Sequence, residues 1–184
     1  LVKLEIPEDA DLQGIFKKQL MLSLRTDWTV GGKTYPQDGL IAIDLETFMG
    51  GGRDFSLLFK PGERVALGSV SSTKNFLLVT TLDNVKSRLY RYTLSGKDWK
   101  SEEVKLPGLG VASVTGASDE DDVFYVSYND FLTPSSLYIV RDGKKLEKIK
   151  SVPAQFDATG MKVEQYEAVS KDGTKIPYFA FVPK

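Results

Sequence analysis

Few residues in this sequence have side chains suited to nucleophilic catalysis. The chain contains no histidine and no cysteine. A Ser-His-Asp mechanism needs an imidazole as its general base, and a cysteine nucleophile needs a thiol, so both kinds of site are excluded. The stretch nearest to a Gly-x-Ser-x-Gly elbow, Gly116 to Glu120, lacks the second glycine, which makes Ser118 an ordinary turn residue. No acidic pair stands in a pattern that indicates glycoside hydrolysis. We therefore predict no catalytic residue in this chain.

Three other patterns could bind ligands, but each has a simpler structural interpretation. The acidic run Ser118 to Asp122 lacks the alternating ligands and central glycine of an EF-hand loop, which favours a solvated hairpin turn. Gly50 to Asp54 is glycine-rich, but no Lys-Ser or Lys-Thr pair follows, so we interpret it as a strand connection. We predict no metal site and no cofactor. Four basic residues near the end of the chain are interpreted as a solvated sheet edge: Lys144, Lys145, Lys148 and Lys150.

The composition limits the size of the core and the kinds of partner that the chain can attract. The 184 residues, 41% of them hydrophobic, are enough to bury one or two ordinary cores. With 24 basic and 25 acidic residues, the chain has no overall field that would attract nucleic acid or an anionic membrane. No apolar run approaches the roughly 20 residues of a membrane span, and no signal peptide is evident, so we expect a soluble protein, cytoplasmic or periplasmic. Because it starts at Leu1 and ends at Lys184 directly after a strand-like run, we expect a piece of a longer protein.

The pattern of apolar residues predicts an all-β chain. Short β-branched and aromatic runs alternate with turn residues, and helical periodicity is nearly absent. Asp142-Gly143 and Asp172-Gly173 predict tight hairpins, and Ser95-Gly96 suggests a third. The polar stretch Arg25 to Gly39 is predicted to be an extended loop that interrupts a hairpin. The predicted strands include Gln19 to Leu24, Leu40 to Leu45, Phe55 to Phe59, Arg64 to Val70, Phe76 to Thr81, Arg88 to Leu94, Val123 to Tyr128 and Ser136 to Val140.

A repeat of 46 residues predicts how these strands are arranged. Pro61, Pro107 and Pro153 are spaced by this distance, and each closes an apolar-flanked strand. Four strands per unit and a period of this length are typical of β-propeller blades. We therefore predict a partial β-propeller of about three four-stranded antiparallel blades, followed by a β-hairpin. The predicted blades are residues 8–61, 62–107 and 108–153, and residues 1–7, with a strand from Val2 to Ile6, would be the last strand of a truncated blade.

Three blades cannot close a ring, because propellers use four or more. The first and last blades would then expose flat faces that normally pack against neighbours. We expect such a chain to associate with itself or to be marginally stable.

Several segments resemble the prolyl oligopeptidase family of serine peptidases. Phe156 to Ala158, Val163 to Gln165 and Ser170 to Pro177 resemble the passage from the propeller to the hydrolase domain in that family. Leu82 to Tyr90 and Phe131 to Tyr138 are similar to its blade segments. In that family a seven-bladed propeller covers an α/β-hydrolase domain, whose Ser, Asp and His cleave short peptides after proline. The resemblance implies that residues 154–184 are a linker and the first hairpin of a hydrolase-like domain. It also implies three partners: missing blades, the rest of an α/β-hydrolase domain, and an oligopeptide substrate.

Chain direction indicates which loops face that domain. The fourth strand of the last blade leads into the predicted hairpin, and second strands run the same way, so the loops between second and third strands should lie on the same side. We hypothesise that these loops line the domain interface or the substrate entrance. The alternative is that Trp28, Tyr128 and Phe131 only pack blade against blade. The candidate residues are Arg25, Asp27, Trp28, Asp83, Asn84, Lys86, Arg88, Tyr128, Asp130 and Phe131.

Two functions remain open from the sequence. In the first, the chain is a non-catalytic propeller portion of a prolyl-oligopeptidase-like endopeptidase, inactive alone, acting as lid and size filter for oligopeptides. In the second, it is a propeller-type protein-interaction scaffold without peptidase activity.

Overall fold

The structure is a computed structural model, and it describes residues 3–184. Within that range the chain forms sixteen strands and one short helix. Twelve of the strands form three four-stranded antiparallel sheets, and the other four form two separate hairpins. This confirms the predicted class, an all-β chain with three blade-like sheets and a terminal hairpin. In residues 3–184, no helix is long and apolar enough to cross a membrane.

The first sheet is formed by β1 (Asp11–Phe16), β2 (Gln19–Ser23), β5 (Leu40–Asp44) and β6 (Ser56–Phe59), paired in chain order. Its two central strands, β2 and β5, are continuous apolar runs, and successive side chains point to opposite faces of the sheet and are buried on both. β2, β5 and β6 match the predicted runs to within a residue.

The stretch between β2 and β5 is not the extended loop predicted from its polar composition. It contains a small hairpin, β3 (Trp28–Val30) and β4 (Lys33–Tyr35). Gly31 and Gly32 form its two-residue turn with φ angles of 58° and 75°, the left-handed values that glycine adopts without strain. A second element absent from the prediction, helix α1 (Leu45–Met49), follows β5.

The second sheet is a meander of β7 (Val65–Ser72), β8 (Leu77–Asp83), β9 (Lys86–Ser95) and β10 (Asp98–Val104). The register of β8 and β9 pairs Asp83 with Lys86 across a two-residue turn. The polar residues at the end of β8 are therefore held at one edge of the sheet.

The third sheet repeats this plan with β11 (Val111–Ala117), β12 (Phe124–Asn129), β13 (Ser136–Val140) and β14 (Leu146–Ser151). The turn before β14 contains Gly143 at φ 70°, as the Asp-Gly signal predicted. The lysines of β14 lie exposed on the outermost strand of the sheet.

After the third sheet the chain forms a terminal hairpin, β15 (Met161–Val169) and β16 (Lys175–Pro183). Gly173 in its turn has φ 82°, which again requires the freedom of glycine. Pro177 lies on β16, whose only partner strand in the described chain is β15, so it occupies an edge strand, where proline is tolerated.

The three sheets stack face against face through two apolar layers. One layer joins the first and second sheets, with Met21 and Leu40 packed against Leu77 and Val79. The other joins the second and third sheets, with Leu78 and Leu89 packed against side chains of β12. Fully burying an aliphatic side chain of this size stabilises the fold by about 1.5–3 kcal/mol, so these layers fix how the blades stack.

The free faces of the first and third sheets differ, which corrects the expectation that both are exposed. Leu22 and Ile41 of the first sheet are fully buried under a third apolar cluster, built by β3, β4 and α1 with their flanking residues. On the outer face of the third sheet, Val111 is 54% exposed and Tyr125 is 38% exposed. In residues 3–184, the first sheet is therefore covered and the third sheet leaves its end of the stack open.

The predicted strand from Val2 to Ile6 is not formed in its described part. Val2 lies outside the described residues, and residues 3–6 belong to no strand. Leu4 and Ile6 instead pack against the apolar cluster that covers the first sheet. A strand is defined by its pairing, and the described chain offers no partner strand here, so the truncated blade remains a prediction.

Candidate interface on the hairpin-facing side of the blades

The terminal hairpin β15–β16 lies against one side of the second and third sheets, here called the hairpin-facing side. The loop between β8 and β9 makes the most specific contact. Gln165 Nε2 donates a hydrogen bond to the Asn84 main-chain oxygen at 2.7 Å. Asn84 has φ 48°, a left-handed conformation that asparagine tolerates better than most residues. The tight turn thus presents its carbonyl to the hairpin.

Arg64, just before β7, is the main charged contact. Its guanidinium forms an ion pair with Glu167 of β15 and donates to the Lys175 main-chain oxygen at 3.3 Å. It also donates to Asn84 Oδ1 at 3.4 Å, while the Asn84 N–H donates to the Arg64 main-chain oxygen at 3.0 Å. The Arg64 side chain is 30% exposed. One arginine therefore ties a blade connection, a blade loop and both hairpin strands together.

Phe131 supplies the apolar contact. It is 51% exposed, and its ring packs against Phe179 and Phe181 with centroid distances of 5.2 Å to each. Its loop is fixed by Asp130, whose Oδ1 accepts hydrogen bonds from the N–H groups of Leu132 at 2.9 Å and Thr133 at 2.6 Å. An exposed phenylalanine on a fixed loop is well suited to hold an apolar partner.

Asp83, Arg88 and Glu103 form a charged network beside these contacts. Arg88 Nε donates to Asp83 Oδ2 at 2.7 Å and Arg88 NH1 donates to Glu103 Oε1 at 2.9 Å. The hydrogen bond from Arg88 lowers the pKa of Asp83, with a smaller contribution from the charge of Lys86. The same bonds, to Asp83 first and Glu103 second, raise the pKa of Arg88. With two carboxylates and one guanidinium, the network has a formal net charge of −1.

Tyr128 lies in the apolar layer between the second and third sheets. It is 1% exposed, packs edge-on to Tyr138 with centroids 6.3 Å apart, and donates a hydrogen bond to Asp130 Oδ2 at 2.6 Å. Burial, followed by the hydrogen bond to Asp130, raises the pKa of Tyr128. Its hydroxyl therefore holds the carboxylate that shapes the Phe131 loop.

The candidates on the first sheet lie apart from the hairpin contacts. Arg25 NH2 pairs with Asp11 Oδ2 at 2.6 Å, and Asp27 Oδ1 accepts a hydrogen bond from the Gln37 N–H at 2.7 Å. Trp28 packs edge-on to Phe55 with centroids 5.2 Å apart. The residues that the structure brings to the side of the second and third sheets where the hairpin lies are Asp83, Asn84, Lys86, Arg88, Asp130 and Phe131. The other three lie elsewhere: Trp28 begins β3, Asp27 directly precedes it, and Arg25 pairs with β1.

Sequence reasoning missed Arg64 and the hairpin side of the contact. A signal for Arg64 existed, because a residue between a fourth strand and the next first strand lies on the same side as the loops between second and third strands. The hairpin residues carried no such signal, since strand alternation does not indicate which face of a two-stranded hairpin meets the blades. They are Gln165, Glu167, Lys175, Phe179 and Phe181.

Comparison with known proteins defines the class to which this fold and surface belong. Residues 25–151 match the family model described as "Prolyl oligopeptidase, N-terminal beta-propeller domain". The chain belongs to this family and represents a propeller portion of it, as the sequence resemblance indicated.

Individual relatives agree with that assignment. The chain is 35% identical over 187 aligned residues to "Uncharacterized peptidase y4nA" of Sinorhizobium fredii, covering 100% of this chain and 26% of that protein. It is 29% identical over 109 residues to a prolyl endopeptidase of Elizabethkingia miricola, covering 59% of this chain and 15% of that protein. A solved post-proline cleaving enzyme from Rickettsia typhi is 27% identical with a TM-score of 0.82, covering 98% of this chain and 27% of that one. Where all or nearly all of this chain is aligned, it spans about a quarter of the relative's length.

Proposed function

We propose that the chain serves as the lid and size filter of a prolyl-oligopeptidase-like endopeptidase that cleaves oligopeptides after proline. The catalytic Ser, Asp and His would be supplied by an α/β-hydrolase domain outside this chain, and further blades would complete the propeller. The chain alone would be inactive, since it has no histidine. The proposal takes its substrate class from the post-proline cleaving and prolyl endopeptidase relatives.

The observation that carries the proposal is the docked hairpin. Asn84, Arg64 and Phe131 come from two different blades, and each contacts β15 or β16. A lid must be held against the domain that it covers, and the hairpin is the segment whose sequence resembles the start of a hydrolase domain. The same resemblance is what the interaction-scaffold alternative would leave unexplained.

The open faces are the surfaces to which we assign the remaining partners. On the hairpin, the stacked pair Tyr166 and Tyr178, 43% and 47% exposed, points away from the contacts with the blades, with ring centroids 5.6 Å apart. We assign this surface to the hydrolase-like domain and the open face of the third sheet to a further blade. We assign neither a nucleic acid nor a membrane partner.

A substrate pair tests the proposal in the full-length protein. The first substrate is a quenched fluorescent octapeptide with one central proline, and the second is the same eight residues placed in an ordered loop of a folded domain. We expect cleavage after proline in the peptide and at least about a hundredfold lower kcat/KM for the folded substrate. Equal cleavage of both would refute the size filter, and cleavage of neither would refute the peptidase assignment.

A further inference from the structure

A polar cleft of about 290 Å³ lies between the innermost strands of the first two blades, apart from the hairpin contacts. β1 supplies Asp11 and Gln13 to it, and the connections after β2 and before β5 supply Arg25 and Asp38. On the opposite wall, β7 contributes its segment from Ala66 to Gly68. Two first strands therefore face each other across a gap at the inner edge of the blades.

The wall formed by β7 is the edge of a sheet, because β8 is the one strand of the described chain that pairs with β7. Val65 exchanges main-chain hydrogen bonds with Gly62, at 3.1 Å and 3.3 Å, on the side away from β8. Main-chain groups of alternate residues in an antiparallel strand point the same way. The N–H and C=O of Leu67 thus also point away from β8, at the cleft. An edge of this kind can pair with an extended peptide.

The opposite wall is charged and carries more carboxylates than cations. Arg25 is held by Asp11 at 2.6 Å, and Gln13 Nε2 donates to Ser23 Oγ at 2.9 Å, which fixes the side chains of β1. Asp38 adds a second carboxylate to the same lining. Two carboxylates against one guanidinium leave a net negative charge, which complements a cationic nitrogen.

We propose that this cleft binds an extended stretch of oligopeptide, with its main chain on the Leu67 edge and a cationic nitrogen beside Asp38. The proposal rests on the proposed function, because it takes the occupant to be the peptide substrate. It goes further by assigning a recognition site to the first two blades, separate from the contacts that dock the hairpin. The cationic nitrogen can be the N-terminal ammonium or a lysine side chain.

The test compares three octapeptides with one central proline: one with a free amino terminus, one N-acetylated, and one N-acetylated with a lysine at its second position. KM and kcat are measured for the full-length wild type, for Asp38→Asn, and for Asp98→Asn. Asp98 is an exposed aspartate on β10, outside the cleft lining, and serves as the matched control. We expect the wild type and Asp98→Asn to show a KM up to about fivefold lower for one or both cationic peptides, the range of an exposed charge pair. Asp38→Asn should lose this preference at unchanged kcat.

The outcomes separate this site from the proposed function. Preference for the free amino terminus alone assigns the ammonium, and preference for the lysine peptide assigns the side chain. Equal KM values for all peptides in the wild type, or a preference that persists in Asp38→Asn, would overturn the site while cleavage still occurs. If no peptide is cleaved, the peptidase proposal fails. The same three peptides are then titrated by calorimetry, where equal affinities in the wild type and Asp38→Asn would overturn the site as well.

Discussion

Arg88 links two carboxylates on the hairpin-facing side, and its removal would leave Asp83 and Glu103 without their shared cation. The pKa of Asp83, which Arg88 now holds down, would return toward its ordinary value. Lys86, at the start of β9, is the other cation of this loop. Lys86 and Arg88 together therefore balance the two carboxylates next to the Asn84 contact.

We predict that Lys86→Ala combined with Arg88→Ala lowers kcat/KM for an oligopeptide about threefold at low salt, through weaker capture or closure. The difference should shrink near 0.5 M salt, because exposed charges are then screened. Lys148→Ala, an exposed lysine of β14, is the control for lost positive charge. Unchanged kcat/KM at all salt concentrations would exclude this role.

At the scale of single residues, the sequence could predict which residues lie in loops but not which loop side chains are exposed and available to contact the hairpin. Asn84 and Phe131 follow second strands, and chain direction alone predicts that both lie on one side of the blades, where the hairpin contacts them. Tyr128 continues the alternation of Phe124 and Val126, and all three are buried. The period-two pattern was the signal that it belongs to the core.

At the scale of elements, the turns on the side opposite the hairpin link the sheets in sequence. Asp122, before β12, accepts hydrogen bonds from the Asn75 N–H at 2.7 Å, Asn75 Nδ2 at 2.8 Å and Thr73 Oγ1 at 3.0 Å. Lys17 of the first sheet donates to Asn75 Oδ1 at 3.1 Å. Burial raises the pKa of Asp122, but the hydrogen bonds from Asn75 and Thr73 outweigh it, and the net shift is downward.

A depressed pKa makes this link sensitive to acid. Its stabilisation is complete above the unfolded pKa, about 3.9, and is lost as the pH falls through the lower folded value. We predict that Asp122→Asn destabilises the second and third sheets by about 1–2 kcal/mol at pH 7 and by much less near pH 2. Hydrogen exchange of the Asn75 amide and thermal unfolding measure this. Asp119→Asn, an exposed residue of the same turn, is the control. An equal effect at both pH values would contradict the link.

Strands that were long enough to show an apolar pattern could be predicted from the sequence. The elements that were missed are the short ones, α1, β3 and β4. Helix α1 has only five residues, too few for a helical period, and depends on Asp44, whose carboxylate accepts a hydrogen bond from the Thr47 N–H at 2.8 Å. The β3–β4 hairpin has three-residue strands, and its Gly-Gly turn was the one local signal.

At the scale of the whole molecule, the 46-residue period predicted the stack of sheets but not the cover over the first one. That cover is built by insertions in the first blade, which break the period and so lie outside what a repeat can predict. The open face of the third sheet is where association remains expected.

We predict that the isolated 184-residue chain self-associates with rising concentration. Tyr125→Asp should weaken this association, because it places a charge on the exposed outer face of the third sheet. Light scattering across a concentration series measures it, with Tyr166→Asp on the hairpin as the comparison. A monodisperse monomer at high concentration would contradict the prediction.

The central claim is that the blades dock on a catalytic domain through the hairpin, and reversing the Arg64–Glu167 pair tests it most directly. In the full-length protein, kcat/KM for a proline-containing octapeptide is measured for Arg64→Glu, Glu167→Arg and the double reversal. The account predicts a loss of about two- to fivefold in each single variant, the range of a half-exposed ion pair, and recovery in the double. Equal activity in all variants, or a double variant as impaired as the two losses combined, would contradict it.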